Sequence, residues 1–325
     1  MKYSRRHGIT VERPVSFWIE KERLNSRIVD CLTVILRTKG CSWRKCLMCG
    51  FSREFAEEAG EKELKKQLDY ALSHKKPDVL KIFTSGSFFD NREVPVEFRK
   101  YTYRKIEELG ISKLIVESRP EYVFNCDCLN MNFDVEVGIG LETSNDFIRE
   151  NCVNKGFKFS DYVKAAEFLT KNSINVRTYL LLKPPFLSEK EAIYDCLKSI
   201  EMCEKYSNTI SINPVYVPKK TYLEKLWKAK LYRPPWLWSV IEVLRRSVKI
   251  TESDIICDPV GAGSNRASHN CGACDKPVAK AIKDFSLYQD VGILEDLSCE
   301  CIDMWEKYKE YEHIARFDFV SYYLK

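Results

Sequence analysis

The chain has 325 residues, 45% hydrophobic and 30% charged, with a formal net charge of +5. Such a composition supplies ample apolar surface for a buried core and excludes a disordered or fibrous polypeptide. No apolar run approaches the roughly 20 residues that cross a bilayer, and MKYSRRHGITVERPV has no apolar stretch followed by a small-residue cleavage site, so the expected setting is cytoplasmic, without a membrane.

In chain order, residues 1–29 form a basic N-terminal segment. It has seven Lys/Arg, including Arg5 and Arg6, against three Asp/Glu, and carries Phe17 and Trp18. Runs of strand length rich in β-branched residues follow at 31–37 (CLTVILR), 78–84, 112–118, 133–139, 174–182 and 209–217. Between them Leu64, Leu68, Ala71 and Leu72 share one helical face, and Tyr162, Ala165, Ala166 and Leu169 share another. Strand and helix alternating in this way predict parallel strands with right-handed crossovers. The expected fold is α/β, a partial (β/α)6 TIM-type barrel over residues 30–218, with its active site at the C-terminal ends of the strands.

Residues 219–250 read as a basic connector. Residues 219–249 hold nine Lys/Arg against two Asp/Glu, and the prolines at 218 and 234–235 bracket one helix and open a second, WLWSVIEVLRRSVK. Lys219, Lys220, Arg233, Arg245 and Arg246 are interleaved with Trp227, Tyr232, Trp236 and Trp238. That mixture suits a phosphate backbone with unstacked bases; it equally suits a solvated helix face over core aromatics. Residues 251–325 form a Cys-rich, mostly helical, metal-binding C-terminal module.

Fourteen cysteines in a reducing cytosol are metal ligands where they cluster and small core residues where they scatter. Cys41, Cys46 and Cys49 lie in GCSWRKCLMCGF, at the end of the first predicted strand. Four thiolates would close a metal site, but three leave it open. A [4Fe-4S] cluster on three thiolates has one iron for the amino and carboxylate groups of S-adenosylmethionine (SAM), whose one-electron cleavage gives methionine and a 5'-deoxyadenosyl radical. A zinc site completed by a distant Cys is the competing reading. In the tail, Cys271 and Cys274 form a C-x2-C knuckle, with Cys299 and Cys301 further on and His269 and Cys257 as alternates. Zinc in a closed site is the first choice there, a second cubane cluster the alternative.

Over residues 30–220 the chain resembles the radical SAM superfamily. There the second predicted strand ends TSGSFFD, the third ESRPEY, similar to a segment of the Elongator catalytic subunit, and the fourth is VEVGIGLETSND. The resemblance implies that Ser85, Gly86 and Ser87 receive the amino group of SAM, that Glu117 and Arg119 line its site, that Glu142 accepts its ribose hydroxyls and that Arg177 meets its carboxylate. Phe51 is expected to pack on the cluster loop, because Met48 stands where most members have an aromatic residue. The cysteine loop, YRPPWLWS and HNCGACDKP are most similar to the family of radical SAM subunits of archaeosine synthase, RaSEA.

That resemblance implies a tRNA-modifying lyase. A partner subunit attaches lysine to the nitrile carbon of 7-cyano-7-deazaguanine in tRNA; abstraction of a hydrogen from the lysine chain then allows its C–N bond to break, leaving the amidine of archaeosine. The implied partners are tRNA, the lysine-transferring subunit and an external electron donor. A radical enzyme acting on another tRNA base or a small molecule is the alternative. No catalytic residue is assigned. An Elongator-like acetyltransferase is not expected, since the roughly 75 residues after the connector are short for an acyl-coenzyme A domain.

Overall fold

The computed structural model describes residues 11–51 and 55–315. Arg5 and Arg6 lie outside the described residues. Two compact units are present, one of residues 1–44 and 51–137, the other of residues 45–50 and 138–325.

The first unit holds β1 (Ser16–Leu24), β2 (Arg27–Ile35), α1 (Glu61–Leu72), β3 (Val79–Phe83), α2 (Val96–Leu109), β4 (Lys113–Ser118), α3 (Pro120–Val123) and the start of β5 (Asp134–Glu142). Into the second fall the rest of β5, α4 (Asp146–Ile148) with a π-helical turn at Arg149–Val153, α5 (Phe159–Lys171), β6 (Asn175–Leu182), α6 (Glu189–Cys203) and β7 (Thr209–Pro214). It continues with α7 (Tyr222–Lys228), α8 (Leu237–Ser247), β8 (Asp254–Cys257), α9 (Asp275–Tyr288), α10 (Gly292–Glu295) and α11 (Cys301–Ala315). The strands follow chain order, β1 to β8, in an α/β half-barrel with a Cys-rich helical tail.

All six predicted strands are present, and two more join them. Strand β1 pairs antiparallel with β2 through a two-residue turn, Asn25–Ser26, both at positive φ as a type I′ hairpin requires. Strand β8 pairs parallel with β7 and carries the sheet past residue 218. The charge of the N-terminal segment hid the first, and a length of four residues hid the second.

Register explains why the strands read as apolar runs yet build a polar interior. In the first unit Leu32, Val34, Leu80, Ile82, Leu114 and Val116 form one buried face. Their neighbours Cys31, Thr33, Lys81 and Lys113 form the other, where Lys81 donates to Glu20 (3.0 Å) and Glu22 (2.7 Å) and Lys113 pairs with Glu136. Burying a lysine costs several kcal/mol unless it is paired, and these are. In the second unit Arg177 and Tyr179 share a face with Thr209 and Ser211.

The predicted helical faces are buried where α1 and α5 form, except that Leu72 is half-exposed. Each fully buried Leu there contributes roughly 1.5–3 kcal/mol. Within the connector, α8 is a core helix: Leu237, Trp238, Val240, Ile241, Val243 and Leu244 are all buried, as are Tyr232 and Trp236. Three of the four connector aromatics are therefore core and present no face to a base. No helix among the described residues is long and apolar enough to cross a membrane.

Candidate active site

In the first unit the loop after β2 turns at Gly40 (φ +86°) into Cys41, whose carbonyl accepts from Arg44 Nε at 2.7 Å. The turn after β3 meets it without clearance. A Cβ on Gly86 would stand 2.7 Å from Cys41 Cα and 2.8 Å from Cys41 Cβ, so only glycine lets the backbone approach.

The Gly86 and Ser87 amides are engaged within the fold. Gly86 N–H donates to Glu93 Oε1 (3.0 Å), Ser87 N–H to Glu93 Oε2 (2.7 Å) and Thr38 Oγ1 to Glu93 Oε1 (2.7 Å), while Gly40 N–H donates to Thr38 Oγ1 (3.1 Å). Glu93 thus ties the Gly40–Cys41 turn to the Ser85–Ser87 turn. Burial pushes its carboxyl above the usual range. Sequence reading missed it, although an acid between Phe88–Phe89 and Val94–Pro95 was the available signal. Ser87 Oγ accepts from Arg119 N–H at 3.0 Å.

The ESRPEY segment clamps the cysteine loop. The buried Arg119 guanidinium lies 5.4 Å over the Trp43 ring and pairs with Glu121 at 2.5 Å; Tyr122 Oη meets Ser42 Oγ at 2.8 Å and accepts from Arg92 at 2.6 Å. Glu117, half-buried at the end of β4, accepts Phe88 N–H at its backbone carbonyl (2.8 Å).

Cys46 and Cys49 belong to the second unit. Leu47 N–H donates to Val153 O (3.0 Å), Leu223 N–H to Leu47 O (3.2 Å) and Asn154 Nδ2 to Lys45 O (3.0 Å), and Cys49 N–H closes the turn on Cys46 O (3.3 Å). Met48 packs against Val153, Leu181, Val215, Val217, Leu223 and Tyr232. Phe51 is 49% exposed, so the half-buried Met48, not Phe51, is the apolar anchor of the loop. At the end of β5, Glu142 (φ +70°) is ion-paired with Lys155, a residue the sequence reading did not single out, and a Cβ on Gly140 would collide with the Lys155 amine. Arg177 is buried on β6.

The thiols of Cys41, Cys46 and Cys49 are half-buried, whereas Cys31, Cys126, Cys128, Cys152, Cys196, Cys203 and Cys257 are buried. Three reachable thiols on one loop are a donor set that fits an iron-sulfur cluster.

The tail brings four sulfurs together. Cys271 Sγ lies 3.8 Å from Cys274 and 3.7 Å from Cys299, Cys274 lies 3.6 Å from Cys301, and all four are within 4.8 Å of one another. One tetrahedral ion about 2.3 Å from each sulfur spaces neighbouring sulfurs about 3.8 Å apart, whereas a cubane puts each thiolate on a separate iron and spreads them further. Trp238 Nε1 donates to Cys301 Sγ (3.1 Å) and Asn270 Nδ2 to Cys274 Sγ (3.3 Å). Backbone N–H groups of Cys274 and Ala273 lower the Cys271 thiol to about 7. His269 Nδ1 lies instead 2.8 Å from Ala267 O, and Cys257 is sealed at the end of β8; neither joins the group.

The radical SAM superfamily model matches residues 35–197. Archaeosine synthase subunit beta of Methanosarcina acetivorans is 42% identical over 313 residues, covering 92% of this chain and 90% of its own, and the protein of the same name from Thermococcus kodakarensis is 38% identical, covering 90% and 95%. The chain belongs to the radical SAM superfamily, in the archaeosine synthase subunit beta family. Among solved structures, the queuine lyase from Clostridium spiroforme bound to SAM and queuine is 27% identical with a TM-score of 0.50, covering 65% of this chain and 86% of its own. Membership in the radical SAM superfamily implies a [4Fe-4S] cluster and SAM as cofactors.

The basic residues singled out in this radical SAM chain divide by role. Arg233 lies 4.1 Å over Trp236 and donates to Pro234 O and His269 O; Arg245 donates to Leu294 O and Glu295 O. Both hold the fold together. Arg246 is exposed and pairs with Glu242 within α8, and Lys219 and Lys220 are exposed just beyond β7.

Proposed function

We propose that the chain is the radical SAM subunit of an archaeosine synthase, breaking the lysine C–N bond of lysine-modified 7-deazaguanine in tRNA to leave the amidine. The observation that carries this reading is the end-to-end similarity to archaeosine synthase subunit beta from two archaea, over 90% and 95% of their lengths. Cys41, Cys46 and Cys49 hold the [4Fe-4S] cluster. Cluster and SAM, when bound, supply the one-electron chemistry that removes a hydrogen atom from an unactivated carbon.

The chain's own residues position and shield. The glycine turn at Ser85–Ser87 meets the amino end of SAM, Glu142 oriented by Lys155 takes the ribose, Arg177 takes the carboxylate, and Glu117 lines the site. Arg119 acts one step back, by holding Trp43. In the tail, Cys271, Cys274, Cys299 and Cys301 hold zinc as a structural ion. The partners are tRNA, a lysine-transferring subunit and an external electron donor. The proposed boundaries are a barrel over 30–218, to whose sheet β1 and β8 add strands from outside that range, a connector over 219–250 and the metal module from 251.

The test is anaerobic reconstitution, reduction, and incubation with SAM and tRNA already lysine-modified by the partner, followed by mass analysis of the digested nucleosides. Archaeosine should appear together with 5'-deoxyadenosine, and Cys41→Ala, Cys46→Ala and Cys49→Ala should each abolish both. Equal turnover of the free modified nucleoside and the tRNA would replace this reading with a small-molecule enzyme.

A further inference from the structure

From Leu181 to Glu189, where β6 ends and α6 begins, every residue is buried except Phe186. That inversion is not explained by polarity, because Lys183, Ser188 and Glu189 are inside while the large apolar ring is outside. The backbone is also strained to achieve it: Phe186 has φ +73°, a left-handed value that bulky side chains avoid. Strain of this kind persists only where the surroundings over-determine it, and it concentrates at ligand clamps.

The surroundings here do over-determine it. Lys183 is fully buried and donates to Glu189 (2.6 Å) and Glu312 (3.1 Å); Tyr232 Oη donates to Lys183 O (2.7 Å); Pro184 and Pro185 stiffen the turn. Beside the exposed ring stands a second one. Tyr222, at the first turn of α7, is 46% exposed with its centroid 6.3 Å from that of Phe186. Residues 219–230 contain five lysines and one acid, Glu224, which is held by Arg266. Lys219 and Lys220 are exposed next to Tyr222.

We propose that Phe186 and Tyr222 form a platform on which an unpaired base of the RNA stacks, while Lys219 and Lys220 meet its phosphates. Two aromatic faces beside a run of lysines match single-stranded nucleic acid in both shape and charge. Both loops leave the C-terminal ends of strands, β6 and β7, where a half-barrel of this kind presents its substrate. This inference rests on the tRNA reading above and names which exposed side chains serve it.

The test uses the full chain and an end-labelled tRNA transcript, read by fluorescence anisotropy at several salt concentrations. The double variant Phe186→Ala with Tyr222→Ala should weaken binding about 10- to 100-fold without changing the salt slope, because stacking releases no counterions. Lys219→Ala with Lys220→Ala should flatten the slope by about 1.4 units. Phe186→Tyr with Tyr222→Phe should restore affinity. Phe186→Gly separates ring from backbone: it should melt above Phe186→Ala, since glycine adopts φ +73° freely, yet bind RNA no better. Wild-type binding that the double alanine variant leaves unchanged overturns the platform alone. A double variant that binds tRNA normally but loses the lysine-transferring subunit assigns the rings to a protein partner and overturns it as well. A wild-type chain without tRNA affinity overturns both readings.

Discussion

Gly86→Ala tests how closely the turn after β3 is fitted to the cysteine loop. The added methyl would stand 2.6 Å from Glu93 Oε2, 2.7 Å from Cys41 Cα and 2.8 Å from Cys41 Cβ, against an ordinary carbon contact of about 3.5–4.0 Å. None of these atoms can swing away. Two belong to Cys41 at or next to the main chain, and Glu93 is held by three hydrogen bonds. Relief therefore needs the β3 turn and Cys41 to separate by roughly 0.8 Å. Overpacking of this size costs about 1–3 kcal/mol, well inside a folding stability of about 5–15 kcal/mol, so the variant should fold and melt a few degrees lower. Its effect on chemistry should be much larger, because a displacement near 1 Å costs about 100-fold in rate. The assay is iron content after anaerobic reconstitution together with the rate of 5'-deoxyadenosine formation. Full iron loading and a wild-type rate would refute the reasoning that this glycine exists for close approach to Cys41.

Arg119→Lys should loosen the loop with little change in melting temperature, since lysine lacks the guanidinium that lies over Trp43 and pairs with Glu121; a shorter lifetime of the visible cluster absorption in air is the readout. Metal analysis should find about one zinc per chain beside the iron, and Cys271→Ser with Cys274→Ser should remove the zinc and lower the melting temperature while sparing the iron; iron scaling to two clusters would show the tail to be a cubane site. Asp195, fully buried and accepting from Thr143 Oγ1, has its carboxyl pushed up to about 7 by burial. A raised folded-state value makes its contribution complete below about pH 4 and lost as pH climbs to 7, so Asp195→Asn should match wild type near pH 4 and exceed it at pH 8, by at most about 4 kcal/mol.

The six strands β2 to β7 and the faces of α1 and α5 were legible because each is a run whose period matches its element. Strand β1 was not, because SFWIEKERL carries Glu20 and Glu22 to pair with Lys81, and a strand whose partners are charged looks like a basic segment when its neighbours are unknown. The connector is legible only as two alternatives, a basic RNA-facing surface or a solvated helix face over core aromatics. The hydrogen bonds of Arg233 and Arg245 to tail carbonyls and the burial of Trp236 and Trp238 turn half of it inward, as the second alternative requires. Sign of charge is visible in a sequence, but the side to which it points is set by tertiary packing.

At the site, motif residues were legible as positions more than as roles. ESRPEY marks the end of β4, but what its arginine and tyrosine do is hold Trp43 and Ser42, a role set by packing and not by spacing. The same holds for TSGS, whose amides answer to Glu93, six residues past Ser87 with no spacing rule to announce it. Lys155 is hidden more deeply, since its meeting with Glu142 depends on the π-helical turn at Arg149–Val153 and on left-handed Asn154 and Gly156. Residues that touch a cofactor can follow a motif because the ligand fixes their geometry. Those that brace them are free to come from any element that reaches, so a sequence pattern exposes the first kind and packing alone identifies the second.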